Sequence, residues 1–202
     1  APNYPAGKDA LTGFKRFYKG KVTDEVYVKF GQLDFAAEIS QMRAAKPETV
    51  YAFLPGGMGV NFIKQFVAAG LSKDIKLLVP GFIVDQDVIP AMGDSVLGLF
   101  NIAHWALDFD NAENKRFVAE FEKEYKRLPS VFAAQAYDAA MLVDAAVRQV
   151  KGKVDDREGF AKALRTAKYK SVRGEYAVNV NGTLGKATEK LKDPYSDACK
   201  AK

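Results

Sequence analysis

The chain has 202 residues, 48% hydrophobic and 27% charged, with a formal net charge of +5, which predicts a soluble globular protein with one large or two small domains. Its basic residues are scattered singly, with a modest lysine excess from Lys186 to Lys202, and form no stripe with interleaved aromatic residues, so nucleic-acid binding is not expected. No apolar run approaches the roughly 20 residues that span a bilayer, so we expect no membrane insertion.

Residues 4–104 alternate between helix and strand signals, which is typical of an α/β fold with a parallel sheet flanked by helices. Apolar residues at helical spacing and glycine stops delimit the helices, whereas short apolar or alternating runs indicate a four-stranded layer. Helices are predicted over residues 6–18, 34–45 with Asp34 as the cap, 59–69 and 88–92, and strands over 22–30, 50–54, 76–79 and 96–102.

Beyond Trp105 the pattern changes to three helices in a row with one further strand over residues 172–180. Capping-box patterns at Asp110 and Asp155 open the first and third helices, and Ser130 begins the long middle one. Three amphipathic helices with one strand lack the sheet that would normally cover their apolar faces. Either they pack on the first layer, or they belong to a second lobe with strands from outside this sequence, which we favour.

The loop Pro55-Gly56-Gly57-Met58-Gly59 joins a strand end to a helix start, where free backbone N–H groups attract anions. It lacks the third glycine of a dinucleotide fingerprint, and the lysine and hydroxyl residue of a phosphate loop are absent. We therefore expect no cofactor. A small carboxylate held by backbone amides fits the loop, and a plain glycine turn is the alternative.

The residue inventory offers little for catalysis or metal binding. Cys199 is the single cysteine and His104 the single histidine, so a Cys/His metal site and an internal disulfide are not expected. No serine stands in a nucleophile-elbow motif. The acidic pairs Asp85 with Asp87 and Asp108 with Asp110 lie near helix starts and are predicted to cap them, and His104 is predicted to be a hydrogen-bonded structural residue. The sequence predicts no catalytic residue.

Several motifs in order make a family resemblance specific. The chain resembles the branched-chain amino-acid-type (Leu/Ile/Val-binding-protein-like) solute-binding proteins of ABC importers, which have the type I periplasmic-binding-protein fold. The motifs are Ala1-Pro-Asn-Tyr4 with Gly7-Lys8, Gly31-Gln-Leu-Asp34-Phe35, Arg43-Ala-Ala-Lys-Pro47, Phe53-Leu-Pro-Gly-Gly57 and Ala134-Gln-Ala-Tyr-Asp-Ala139. The resemblance implies an extracytoplasmic, periplasmic receptor without enzymatic activity, whose two lobes close on a ligand and which partners a membrane permease.

The resemblance also implies a domain organisation. Residues 1–104 resemble the second lobe, residues 105–182 resemble an incomplete return segment into the first lobe, and residues 183–202 form a basic C-terminal tail. The first four residues carry no secretory leader, so either a signal peptide has been removed or the chain begins inside a larger protein. Cys199 is a candidate for a disulfide with a cysteine of the absent lobe, in keeping with an oxidising compartment.

Five residues match ligand-contacting positions of the family: Tyr4, the Gly57-Met58 turn, Phe82 and Phe132. At Phe82 the amino-acid binders have a glutamate that pairs with the ligand ammonium. We therefore expect a carboxylate without an amino group, such as a benzoate-type aromatic acid stacked on Tyr4, Phe82 and Phe132. Alternatives are a branched-chain amino-acid binder and a ligand-sensing domain of a receptor or regulator; an α/β enzyme would need a catalytic dyad or cofactor motif.

Overall fold

A computed structural model describes residues 1–174, 176–178 and 184–186 of the chain. The chain divides into two units, which we call unit one (Ala1–Ala103) and unit two (from His104 onward). We describe each unit by itself. None of the helices in the described residues is both long enough and apolar enough to cross a membrane.

Unit one has a three-stranded sheet with helices between its strands. All three strands are parallel, in the order β1-β2-β3, with Val50 opposite Leu77 and Leu78 opposite Phe100. The elements are α1 (Pro5–Phe17), α2 (Ala36–Ala45), β1 (Thr49–Tyr51), α3 (Gly57–Ala68), β2 (Lys76–Pro80), α4 (Ile89–Met92) and β3 (Phe100–Ile102), with 3-10 turns at Leu71–Lys73, Gly81–Ile83 and Gly93–Val96.

The core of unit one joins α2, α3 and the sheet. Phe35, which precedes α2, packs edge-on against Phe62 with ring centroids 5.3 Å apart. The ring centroid of Phe66, one turn further along α3, lies 5.8 Å from that of Phe62. Ile63 and Leu77 are buried in the same cluster. The apolar spacing of α3 thus places one face on the sheet, which stabilises the unit by removing apolar surface from water.

The α/β class and its parallel sheet are confirmed, but the predicted four-stranded layer is wrong. Residues 22–30 form no strand; they contribute one isolated parallel bridge, between Val28 and Pro2. Within the described residues, the backbone bonds between residues 22–30 and another segment join Val26 and Val28 to Ala1 and Asn3 alone, which is too short a ladder for a strand. The strand predicted over 96–102 is reduced to β3, because a 3-10 turn ends at Val96 and Gly98 has a φ of +78°.

Unit two contains the three predicted helices, α5 (Ala112–Tyr125), α6 (Val131–Gln149) and α7 (Arg157–Thr166). Ser130 caps α6 as predicted, because its side chain accepts from the N–H of Ala133. The predicted caps Asp110 and Asp155 are each one residue early. Asn111 accepts from Asn114 and Asp156 accepts from Gly159 instead, since only the residue directly before the first turn reaches that N–H.

Two short strands follow the helices of unit two. The structure has β4 (Tyr176–Val178) within the strand predicted over 172–180, and β4 pairs antiparallel with β5 (Leu184–Lys186). The expectation of a single further strand is therefore wrong, because β5 falls in the segment predicted to be a basic tail. Cys199 lies outside the described residues.

Candidate functional site

The start of α3 places free backbone N–H groups at the carboxyl end of β1. Gly56 has a φ of +61°, a conformation that favours glycine, and it turns the chain from the strand into the helix. The first helical backbone bond runs from the Val60 N–H to the Gly56 carbonyl at 3.3 Å, so the N–H groups of Gly57, Met58 and Gly59 precede the helical ladder. Such a terminus favours an anion.

Close packing holds this helix start in place. A Cβ at Gly59 would lie 2.3 Å from the Leu54 carbonyl oxygen and 2.7 Å from Cγ2 of Ile83. Only glycine therefore lets the first turn of α3 lie against both the loop after β1 and the turn after β2. The absence of a side chain at this position fixes where the free N–H groups lie.

The side chain of Met58 is directed away from solvent. It is only 4% exposed, and its Sδ accepts from the N–H of Gly31 at 3.3 Å. Gly57, by contrast, is exposed. The predicted ligand contact at Gly57-Met58 can therefore be made by the backbone N–H groups of these residues, and not by the Met58 side chain.

An aromatic pair lies at the carboxyl ends of β1 and β2. Phe82, in the 3-10 turn Gly81–Ile83 directly after β2, is half-buried and packs edge-on against Phe53 with ring centroids 5.5 Å apart. Sequence reasoning missed Phe53, because it read residues 50–54 as one buried strand. The strand ends at Tyr51, so Phe53 belongs to the loop that leads into α3.

A second aromatic pair involves Tyr4, the residue directly before α1. Its ring centroid lies 5.0 Å from that of Phe30, at an angle of 56°. Phe30 is 62% exposed and was missed as a site candidate, because the alternation of residues 22–30 placed it in a strand. The next residue, Gly31, donates to Met58, so the chain carrying Phe30 is tied to the first turn of α3.

Phe132 is the predicted site residue of unit two. It is the second residue of α6 and is 53% exposed, while its neighbours Val131 and Ser130 are buried. The helix start therefore presents an aromatic ring at the surface of unit two. Tyr4, Gly57, Met58 and Phe82 all belong to unit one.

The nearest acidic residue along the chain to Phe82 has a structural role. Asp85 is 4% exposed; its Oδ1 accepts from the Asp87 N–H at 3.1 Å, and its carbonyl accepts from Val88 and Ile89. Asp85 thus stabilises the turn that leads to α4, but the predicted capping of this helix is wrong, because Val88 is the residue before α4 and its side chain makes no hydrogen bond to the first turn. The side chains of Phe53 and Phe82 themselves bring only apolar rings to the ends of these strands.

His104 is hydrogen-bonded, as predicted. Its Nε2 lies 2.9 Å from Nε2 of Gln135. Partial burial of the imidazole lowers its pKa, and the charge of Arg173 lowers it further, against an opposing effect of Asp138. A lowered pKa keeps His104 neutral at neutral pH, so it adds no positive charge to the start of α6.

The described residues contain no group of three or more histidine, cysteine, aspartate or glutamate side chains arranged to hold a metal ion. What the geometry of unit one provides is an anion-attracting helix start flanked by two aromatic pairs. This combination suits a small ligand with one carboxylate and an apolar ring.

A family model described as periplasmic binding protein matches residues 1–190. The chain belongs to the periplasmic binding protein family. This is a family of solute-binding receptors and not of enzymes, and the type I fold expected from the sequence is confirmed by the solved structures that the chain resembles.

Three proteins similar to this periplasmic binding protein differ in the ligands that their complexes or names give. A solute-binding protein of an R. palustris ABC transporter, in complex with benzoate, is 36% identical, with a TM-score of 0.85 over 91% of this chain and 51% of its own. A second, from Rhodopseudomonas palustris BisB5 with 3,4-dihydroxybenzoic acid, is 34% identical, with a TM-score of 0.80 over 90% and 51%. The "Leu/Ile/Val-binding protein homolog 6" of Brucella melitensis is 28% identical over 88% of this chain and 47% of its own length.

The chain therefore spans about half the length of the relatives it matches. The ligand and the partners of a whole receptor in this family are properties of proteins about twice as long as this chain.

Proposed function

We propose that this chain is part of an extracytoplasmic solute-binding receptor that delivers a small aromatic carboxylate of the benzoate type to the permease of an ABC importer. The single observation that carries the proposal is the Phe53–Phe82 pair at the strand ends of unit one, beside the free N–H groups that open α3. The first supplies an apolar wall for a ring, and the second supplies donors for a carboxylate.

The carboxylate end of the ligand is assigned to the start of α3. The N–H groups of Gly57, Met58 and Gly59 precede the helical ladder and carry the positive end of the helix dipole. Interactions of this kind contribute about 0.3–1 kcal/mol when exposed and up to about 2 kcal/mol when partly buried. An anion is therefore favoured there over a neutral group.

The ring end of the ligand is assigned to the aromatic residues. Phe82 and Phe53 meet edge to face, and Tyr4 with Phe30 form a second pair on the same unit. Aromatic contacts of this type add about 0.5–1.5 kcal/mol beyond the area they bury. Phe132, an exposed ring at the start of α6 on unit two, is proposed as a further ligand contact.

An amino acid is a poorer fit to this wall. Its ammonium group needs a charged or polar partner when it leaves water, and an unpaired donor costs about 1–3 kcal/mol. The Phe53–Phe82 pair offers none, and Asp85 nearby is engaged by the turn into α4. The alternative ligand class, branched-chain amino acids, is supported by the name of the Brucella relative.

A substitution at Phe82 tests the assignment of specificity in the full-length receptor. Phe82→Glu restores the carboxylate that amino-acid binders need, so benzoate affinity should fall at least about tenfold while binding of leucine appears. Phe82→Leu, which keeps an apolar wall, should weaken benzoate by less. Phe17→Leu, at an exposed position on α1, is the matched control and should leave both affinities unchanged. If the glutamate variant still bound benzoate as tightly as the parent, the assignment of Phe82 would be wrong.

A further inference from the structure

Unit two carries a polar pair of side chains near the start of α6. The Nε2 atoms of His104 and Gln135 lie 2.9 Å apart, and both side chains are exposed. Phe132 lies three residues before Gln135 on the helix, so its ring and the amide share one face of α6. These three residues, which we call the α6 cluster, combine an apolar ring with hydrogen-bonding groups.

The chemistry of the polar pair determines which of its atoms are left for a ligand. An amide nitrogen only donates, so Nε2 of His104 accepts and the proton of the neutral ring is on Nδ1. The lowered pKa of the imidazole agrees with this neutral state. Among the residues that the structure describes, Nδ1 of His104 and Oε1 of Gln135 have no hydrogen-bond partner. The pair therefore presents a donor and an acceptor at the surface of unit two.

Buried neighbours hold both members of the pair in place. Trp105, which follows His104, is 2% exposed, and its Nε1 donates to Oδ1 of Asn114 at 2.6 Å. Ala134, directly before Gln135, is fully buried. A contact whose backbone is fixed in this way loses little conformational freedom when a ligand binds.

The charges around the pair favour a neutral group of a ligand. The charge of Arg173 acts on His104, but its guanidinium is paired with the buried carboxylate of Asp138 at 2.7 Å. With these opposite charges paired, the α6 cluster offers little to an ammonium or a carboxylate. A hydroxyl group both donates and accepts, so it matches the donor and the acceptor that the pair presents.

We propose that His104 and Gln135 form a ligand subsite that recognises a hydroxyl group on the ring of the aromatic carboxylate, with Phe132 as the adjoining apolar contact. The inference rests on the proposed function, because it concerns another part of the same ligand. A bare ring would take water away from the polar atoms of the pair without replacing its hydrogen bonds, whereas a hydroxyl group restores them. The subsite therefore selects a hydroxylated ring.

Ligands that differ only in hydrogen bonding test the proposal in the full-length receptor. A methyl group is close to a hydroxyl in size but neither donates nor accepts. Calorimetric titration compares 4-hydroxybenzoate with 4-methylbenzoate, and 3-hydroxybenzoate with 3-methylbenzoate. In at least one pair, the parent should bind the hydroxy acid about tenfold more tightly than the methyl acid. Equal affinities, or a preference for the methyl acid, in both pairs would overturn the proposal.

Two glutamine variants on α6 locate the hydroxyl contact. Gln135→Leu keeps the approximate size of the side chain but removes its polar atoms. The preferred hydroxy acid should then lose affinity at least about tenfold, while its methyl partner binds as tightly as before or more tightly. Gln149→Leu makes the same chemical change at the end of the helix, where Gln149 bonds to Thr166, and should leave both affinities unchanged. Equal losses for both acids in Gln135→Leu would contradict a hydroxyl contact.

A variant of His104 tests the other member of the pair. His104→Phe keeps a ring but removes both nitrogen atoms, so it should also weaken the hydroxy acid and spare the methyl acid. Because the methyl acid still binds, its affinity shows that each variant is folded. An unchanged preference for the hydroxy acid in His104→Phe would show that the imidazole is not part of the subsite.

The titrations also separate this inference from the proposed function. A parent receptor that binds benzoate and the methyl acids without preferring a hydroxyl group would overturn the subsite alone. A parent receptor that binds none of these aromatic acids would contradict the proposed function, and the subsite with it.

Discussion

At the scale of single residues, the best-defined polar contact is made by Asp138 on α6. The side chain is fully buried and accepts from the Ser171 hydroxyl at 2.7 Å, the Val172 N–H at 3.1 Å and Nε of Arg173 at 2.7 Å. Three charge-assisted bonds from consecutive residues fasten the segment after α7 to the middle of α6. Asp138 lies within the 134–139 motif that carries the family resemblance.

Removing this carboxylate should destabilise unit two strongly. Asp138→Ala removes the carboxylate from a buried ion pair with Arg173, and breaking such pairs costs about 3–5 kcal/mol. Asp144→Ala is the matched control, because Asp144 is on the same helix and pairs with Arg148 at the exposed surface. Its loss should be about 0.5 kcal/mol or less. Urea denaturation checks both variants, and equal losses would refute the role given to Asp138.

His104 predicts how stability depends on pH. Its pKa is lowered in the folded state, mainly by burial and also by Arg173, so the unfolded chain takes up the proton at a higher pH than the folded chain. The favourable contribution of neutral His104 is present above its unfolded pKa of about 6.5 and is lost as the pH falls through the folded value. His104→Gln removes the titrating group. Melting temperatures at pH 7.5 and 5.5 should fall less in this variant than in the parent; parallel falls would count against the effect.

At the scale of secondary-structure elements, the helices and the strands β1 and β2 could be predicted from local sequence, whereas the number of strands in the sheet could not. Apolar periodicity predicted α1, α3 and α6 to within a few residues, because a helix satisfies its backbone internally. A strand depends on a neighbour that can be far along the chain or absent. Residues 22–30 therefore alternate correctly and still form a single bridge.

The start of α5 shows how a cap can be misplaced by one residue. Asp110 and Asn111 are both good capping residues, and sequence alone gives no reason to prefer the second. The Asn111 side chain accepts from the Asn114 N–H at 2.8 Å and donates to the Val172 carbonyl at 3.0 Å, whereas Asp110 pairs with Lys115 at the surface. The second contact of Asn111 is tertiary, so local patterns carry no sign of it.

Two alanine variants at the start of α5 separate the role of Asn111 as the helix cap from that of Asp110 in a surface ion pair. Asn111→Ala should lower the free energy of unfolding by about 0.5–2 kcal/mol through loss of the cap, with a further loss from the bond to Val172. Asp110→Ala removes an exposed ion pair and should change it by about 0.5 kcal/mol or less. Chemical denaturation of the two variants in parallel decides the matter. A larger effect at Asp110 would restore the original capping prediction.

At the scale of the whole molecule, family membership followed from motifs, while the make-up of the site needed structure. Tyr4, Gly57 and Phe82 were named from the sequence, but their ring partners Phe30 and Phe53 were not. Those contacts join segments that only folding brings together. The assignment of residues 1–104 and 105–182 to two lobes stays a prediction, as does the meeting of Phe132 with the residues of unit one.

The most direct test of the central claim is calorimetric titration of the full-length receptor with benzoate and with leucine. We expect benzoate to bind and leucine not to, because the rings of Phe53 and Phe82 supply no partner for an ammonium group. Benzoate at about 100 times its dissociation constant should also stabilise the protein by about 2.7 kcal/mol against unfolding. Binding of leucine with equal or higher affinity would show that the proposed ligand class is wrong and assign the receptor to branched-chain amino acids.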